Sequence, residues 1–405
     1  MFCSCVTTSG GTGEKTPLKK TSSKNRDASY QVYLDFFEEV YQKMDENYYH
    51  PVIREDFNKF LYKFDTKIYA QLKGSGKSSD FVRWRSAAFL VDDLKAEDDI
   101  FSAFFPPKPA KKYEQKVLGK RIDLGIEGQK IDEGYLVLRV QIRADAYDQG
   151  LREKDVILSV DGKDLALLTE EEINTLLTPL EGEEVALQYV AYQDRQRHAI
   201  KVVSREYFKQ FVFMIPVDVP DVYCLKIERF NRMTAEDITR YMTYILQQEK
   251  SSLIIDLRGN PGGPPLAARE ISAFFLPPNQ EFAYFQRKNK PKASLFVPRI
   301  PPTYHYKGDM VILVDEKSGS ASELFSGILQ KRGRATIMGT NTAGQVFLKH
   351  MFPFEDDSML LLVIARGHHP DGSVFSFDGV PPDKRVEDAD IDLVNYAAQY
   401  LTLKK

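Results

Sequence analysis

The sequence predicts a multidomain α+β protein: an N-terminal helical region, a small β-rich module, and an α/β core. Three observations carry this expectation. The chain has 405 residues, more than one hydrophobic core usually holds. Its hydrophobic pattern changes character twice, at the FPPKP segment of residues 105–109 and near Arg205. Beyond Arg205, two short and wholly apolar runs each empty into a small-residue turn followed by an amphipathic stretch, the strand–turn–helix unit of a buried parallel sheet.

Residues 1–28 read as a tether, since TTSGGTGEKTPLKKTSSKN lacks any apolar period. Residues 29–112 form the helical region. Its clearest element runs over 30–48, where Tyr33, Leu34, Phe37, Val40, Tyr41 and Met44 recur at three- and four-residue spacing and Pro51 lies just beyond. Residues 113–205 carry the runs GYLVLRVQI, DVILSVDG, EVALQYVAY and HAIKVVS around one helical piece at 170–177, with Asp161-Gly162 and Glu181-Gly182 as turns. Residues 206–405 form the core. Thr234 is read as the cap of a helix with Asp237 three residues on, and Ile238, Tyr241, Met242, Ile245 and Leu246 as its buried stripe. The apolar run 252–257 then leads through Arg258-Gly-Asn-Pro-Gly-Gly263 to a helix, and 310–314 leads through 317–322 to a helix with Leu324, Phe325, Ile328 and Leu329 on one face.

Charge and cysteine content narrow the function. Fifty-five basic and 58 acidic residues leave a net charge of −3, so no overall field draws the chain to nucleic acid. Near neutrality implies that a partner would be selected by short-range pairing rather than by a long-range field. The apolar stretch 358–365 is strand-sized, well short of the roughly 18 residues that cross a bilayer. Three cysteines give no disulfide framework. Cys3 and Cys5 in Met-Phe-Cys-Ser-Cys, ahead of the polar tether, read instead as the remnant of a lipoprotein signal, with a lipid anchor on one of them and an envelope or periplasmic location.

The two strand-to-helix turns have the makings of a hydrolytic site. A serine becomes a nucleophile when an exposed turn presents it, a base approaches it, and N–H donors face the oxyanion formed on attack. Ser320 sits between Gly319 and Ala321 where a helix begins, so free N–H groups and positive dipole point at that charge. Gly262 and Gly263 offer a second donor unhindered by a side chain. Ser322 reads as a cap, and the 259–263 turn fits neither G-x-G-x-x-G nor the P-loop spacing.

In order along the chain, LIIDLRGNPGG (253–263), SGSASEL (318–324), GTNTAG (339–344), Ala365-Arg366, PDG (370–372) and GVPPD (379–383) resemble the C-terminal processing, or tail-specific, serine peptidases. The resemblance covers about residues 30–390 and implies an inserted PDZ domain at 113–205 ahead of a peptidase core. Leu124-Gly125-Ile126 would be the PDZ carboxylate-binding loop, and Ala146, Gly150-Leu151, Lys154-Asp155 and Asp161-Gly162 resemble that domain's central pattern. It further implies Ser320 as nucleophile of a Ser/Lys dyad, an oxyanion hole from Ala321 and Gly262 or Gly263, unfolded or C-terminal peptide segments as substrates, and no metal or organic cofactor.

One departure from the family pattern falls on the base. The resemblance places a lysine 25 positions after the serine and a glutamine four further on; here those positions hold Gln345 and Lys349, the same two residue types exchanged. An amide cannot serve as base, whereas a desolvated lysine can. Either Lys349 reaches back to Ser320 with Gln345 orienting it, or the base is lost and the protein is a peptide-binding pseudopeptidase. Four extended residues span about 13 Å, so the exchange needs a bulge or curl, although 345 and 349 would share one face of a regular strand. A third reading, recruitment of the core to bind a small apolar ligand, rests on the 12% aromatic content alone. His350 reads as a poor substitute base. His368 and His369 read as surface residues of a turn, without metal-ligand partners at useful spacing.

Overall fold

The computed structural model describes residues 28–248, 251–388 and 390–403. The tether therefore lies, but for Ala28, outside the described residues, as do Cys3 and Cys5. Among the described residues no helix is long and apolar enough to cross a membrane.

The N-terminal region is helical over Ala28–Asn47, Arg54–Lys63, Tyr69–Gly74 and Ser79–Leu94. Phe37, Met44, Tyr48, Phe57, Phe60, Phe64 and Leu90 are fully buried between these helices. This core is not self-contained, because Leu360, Leu362 and Ile364 of the strand Met359–His368 belong to the same cluster. The region also contributes a strand, Ala103–Phe105, which pairs antiparallel with residues 359–361. The boundary drawn at residue 112 falls inside a helix, Pro107–Leu118, because Pro107 and Pro109 open that helix instead of merely ending what precedes them.

The β-rich module is a sheet of five main strands, Ile126–Ile131, Gly134–Val140, Val156–Val160, Glu184–Val190 and Arg197–Val203, in that order across the sheet, with a short sixth strand at Lys163–Asp164. Asp161 and Gly162 both take positive φ, 48° and 76°, as a tight hairpin turn requires. Thr169 and Glu172 make a reciprocal capping box on the helix Glu170–Leu176. An antiparallel ribbon of Lys120–Asp123 and Arg205–Phe208 closes the module at its neck.

The α/β core centres on six strands in chain order: Val212–Ile215, Val222–Ile227, Ser252–Asp256, Met310–Val314, Thr336–Gly339 and Lys384–Arg385. The first pair is antiparallel and the rest are parallel. Leu253, Ile255, Ile312 and Val314 face the helices Thr234–Ile245, Pro265–Ser272 and Ala321–Lys331, while Ile254, Val311 and Leu313 face the helix Leu393–Leu403. This alternation, with both faces covered, explains why these strands are apolar throughout. Cys224 lies in this core, and burial pushes its thiol pKa up to about 12, which makes it inert.

Two local readings are corrected. Thr234 opens its helix but does not cap it with Asp237. The Thr234 hydroxyl instead accepts the Asn231 N–H (2.7 Å), and the buried Asp237 carboxylate binds Arg143 of the β-rich module (2.7 Å). His369 is half-buried, its ring stacked on Phe375 at 3.9 Å, while His368 ends its strand stacked on Tyr284 at 4.7 Å. Burial, reinforced by Lys331 and His368 and opposed by Asp371, lowers the His369 pKa to about 4.

Because the unfolded chain would hold the His369 proton near pH 6.5 and the folded chain does not, the stability from neutral His369 is complete above that pH. It is lost as pH falls from about 6.5 towards 4. Denaturant titrations at pH 7 and pH 5 are expected to show a loss on the order of 2 kcal/mol, and His369→Phe is expected to flatten that dependence.

Candidate active site

The parallel pairing of Ser252–Asp256 with Met310–Val314 sends both turns out of the same sheet edge, side by side. Asn260 pins them together. Its Nδ2 donates to Ile227 O (2.8 Å), its Oδ1 accepts Gly262 N–H (2.8 Å), and its carbonyl accepts Gly319 N–H and the Ser322 hydroxyl, both at 3.0 Å. Ser322, expected to be a cap, is therefore a buried tie between the turns. Ser318 adds another, donating to Leu257 O at 2.9 Å.

Ser320 occupies the residue before the helix Ala321–Lys331, at φ 53° and ψ −109°. A non-glycine residue there holds about 1–3 kcal/mol of strain, sustained by the ties around it. Gly262 packs against this turn at φ +92°; a Cβ on it would lie 2.4 Å from Gly319 O, 2.7 Å from Ala321 N and 2.8 Å from Ser320 Cβ. Gly262→Ala is expected to cost about 2–4 kcal/mol, measured as a shift in the denaturation midpoint, since backbone and the serine itself must give way.

Glu323 joins the serine turn to the segment that follows strand Thr336–Gly339. It is 1% exposed, and its carboxylate accepts Ser320 N–H (2.8 Å), the Thr342 hydroxyl (2.7 Å), Gly344 N–H (2.7 Å) and Gln345 N–H (2.8 Å). Burial raises its pKa, and these donors act against that rise.

Ser320 and Lys349 line one cavity of about 240 Å³, together with Gly263, Tyr113, Arg229, Phe347 and Met351. No hydrogen bond joins Ser320 to Lys349. The lysine is reached through a bulge: Leu348 pairs with Ala365 but Lys349 pairs with Val363, which leaves Ile364 unmatched. Gln345 precedes the strand Phe347–Pro353 instead of lying on it, so the expected shared face with Lys349 does not exist. Gln345 is held by its backbone to Glu323 and is absent from the cavity lining.

The Lys349 ammonium lies 4.3 Å from the centre of the Phe101 ring. Burial lowers its pKa, the Arg229 charge lowers it further, and Asp99 pulls the other way. Asp99 is itself spent on Tyr48 Oη (2.6 Å) and the N–H groups of Phe101 and Ser102 (2.8 and 2.9 Å). Of the two glycines, Gly263 lines the cavity, while Gly262 N–H is committed to Asn260. Ala321 N lies at the first helical position, where no intrahelical acceptor exists. His350 is exposed, rests against Phe352 at 4.6 Å, and is absent from the cavity.

In the β-rich module Leu124 is fully buried and Gly125 takes φ +74° with its N–H given to Asp123 Oδ1 (2.7 Å). Ile126 begins an edge strand whose outer side is unpaired within its sheet. The module is fixed to the core by Arg143, bound to Glu236 (2.9 Å) and Asp237, and by Arg139, bound to Glu228 (3.2 Å). Among the described residues no group of three His, Cys, Asp or Glu side chains is placed to hold a metal ion.

Sequence reasoning assigned no role to Asp99, Phe101, Tyr113, Arg229 or Glu323. Glu323 had a readable signal, its capping-box spacing from Ser320. The others come from segments far apart in the chain and carry none.

Comparison with known proteins fits this architecture. Residues 221–386 match the family model of peptidase family S41, and residues 110–190 that of the PDZ domain. The chain is 25% identical over 340 residues to a probable CtpA-like serine protease of Staphylococcus haemolyticus, covering 82% of this chain and 65% of that protein. It is 23% identical over 303 residues to the carboxy-terminal processing protease CtpB of Bacillus subtilis, covering 73% of this chain and 62% of that one. The chain thus spans slightly less than two thirds of the length of these relatives. The solved photosystem II D1 C-terminal processing protease is similar in fold, with a TM-score of 0.53 at 18% identity over 93% of this chain and 98% of that chain. The chain thus carries a PDZ domain ahead of a peptidase family S41 domain, behind a helical N-terminal region, an arrangement similar to that of the C-terminal processing serine peptidases.

Proposed function

We propose that the protein is a serine endopeptidase that cuts extended or C-terminal peptide segments, with Lys349 as the base. The observation that carries this reading is the shared cavity: a strained Ser320 at a helix N-terminus and a desolvated Lys349 line the same space. The neutral Lys349 amine would take the Ser320 hydroxyl proton as Oγ adds to the scissile carbonyl, and the N–H groups of Ala321 and Gly263 would face the oxyanion. The proton then passes to the leaving amine, the peptide bond breaks, and water hydrolyses the serine ester by the same route. Lys349 must close on Ser320 when substrate binds, as catalytic hydrogen bonds often tighten only in the complex. Gln345 holds the 344–345 segment on Glu323 through its backbone and takes no proton. The edge strand beginning at Ile126 suits strand addition by a peptide.

A second reading is favoured by Gln345 at the family's base position: a pseudopeptidase that binds peptides without cutting them. The two separate in one assay. Cleavage of an unstructured protein between about pH 6 and 10 that is lost in Ser320→Ala supports the peptidase; peptide binding with no cleavage, equal in wild type and Ser320→Ala, supports the scaffold. Lipid attachment and an envelope location complete the proposal, supported by Cys3 and Cys5 ahead of a polar tether. Incorporation of a fatty-acid label that disappears when both cysteines are serine tests them.

A further inference from the structure

Among the described residues Arg229 has no counter-ion. It follows the strand Val222–Ile227, is largely desolvated, and its Nε is buried without a hydrogen-bond partner. Among the described residues no carboxylate pairs with it, and the charge it bears on across the cavity is Lys349, of the same sign. Arg143, Arg258 and Arg83 are matched by Asp237, Asp256 and Asp356, and the desolvated Arg334, which has no paired carboxylate among the described residues, donates from its Nη2 to Tyr306 O (2.8 Å) instead. A desolvated cation left unmatched is costly unless something else supplies the anion.

The surroundings of Arg229 indicate what that anion is attached to. Arg229 lines both the serine cavity and a second groove of about 470 Å³ beside it. Six cations line this groove against one carboxylate: Lys112, Lys116, Lys120, Arg121, Lys209 and Arg229 against Asp123. Lys120 and Lys209 are paired to Glu206 and Glu127, and Arg121 to Asp123, which leaves Lys112, Lys116 and Arg229 without an acidic partner among the described residues. The groove includes Asp123, the residue before the Leu124–Gly125–Ile126 loop, and shares Arg229 with the cavity that Ser320 lines. In a chain of net charge −3 this local excess of cations is a concentrated feature, and it modifies the expectation that peptides are chosen without a field.

We propose that this groove is the substrate's path and that it selects acidic peptides, with Arg229 receiving a carboxylate next to the scissile bond. The carboxylate is a Glu or Asp side chain or the free C-terminus of the peptide. The proposal rests on the peptidase reading, and its test separates the two.

The full chain carrying Ser320→Ala is titrated with three labelled unstructured peptides of equal length: neutral and amidated, the same with one Glu and amidated, and neutral with a free C-terminus. At least one carboxylate peptide is expected to bind about tenfold tighter than the neutral amide. The gap should narrow with added salt and close in Arg229→Gln, with Arg229→Lys keeping part of it. Lys112→Gln with Lys116→Gln, on an exposed helix face, should weaken acidic binding even if Arg229→Gln folds poorly. Which carboxylate peptide gains identifies the source. Equal affinity for all three peptides, or a gap that a folded Arg229→Gln leaves intact, overturns the proposal. If wild type cuts neutral and acidic peptides equally, the proposal fails and the peptidase stands. If wild type cuts none but the carboxylate gap persists, the peptidase reading fails and the acidic groove stands.

Discussion

Replacing Lys349 by methionine is expected to lower kcat/KM for peptide cleavage by about 10³-fold or more, because methionine keeps the bulk over Phe101 and removes the base. The wild-type rate should rise with pH as Lys349 loses its proton. Burial and Arg229 lower its pKa and Asp99 opposes them, so the inflection should fall below the value near 10.5 of a free lysine. In Lys349→Met that limb should vanish while peptide affinity is retained. Steady-state kinetics from about pH 6 to 10 on both proteins are the measurement, with Ser320→Ala as the blank. If Lys349→Met cleaves as well as wild type, Lys349 is not the base. If wild type is inert and Gln345→Lys gains activity, the scaffold reading is the right one.

Glu323→Ala should have the largest effect on stability. Its carboxylate, on a side chain only 1% exposed, satisfies three backbone N–H groups and a hydroxyl. Removing it leaves those donors buried and unpaired, at a cost of roughly 3–5 kcal/mol. Glu323→Gln, similar in shape, should cost less but break the arrangement differently, since its amide N–H₂ must face an N–H donor. Both should lower kcat more than peptide affinity, because Glu323 holds Ser320 and the 344–345 segment in place without touching substrate. A denaturation midpoint and a kcat-against-KM comparison on each variant check this.

What could be read from the sequence was what local spacing encodes. The strands 252–256 and 310–314 declared themselves by unbroken apolar runs, and the helix after Ser320 by its periodic stripe. The placement of Gln345 and Lys349 could not be read, because the bulge that presents Lys349 depends on its register with Val363 and Ala365 of a partner strand. The Thr234 cap was misread because Asp237 has a partner, Arg143, some ninety residues away. Likewise the cavity draws on Tyr113, Arg229 and Ser320, whose proximity is a property of the whole fold.

The strand Met359–His368 brings the two ends of the chain together: it pairs with Ala103–Phe105 and completes the core around Phe37 and Phe60. It also pairs with the strand that bears Lys349, and Val363 N–H donates to the Ser102 hydroxyl at 2.9 Å, beside Phe101. During synthesis, which runs from the N-terminus, Ser320 therefore emerges well before the surroundings that desolvate Lys349 can form. On the peptidase reading, Ser320 and Lys349 are expected to stay inactive towards neighbouring unfolded chains until residues 359–368 have left the ribosome.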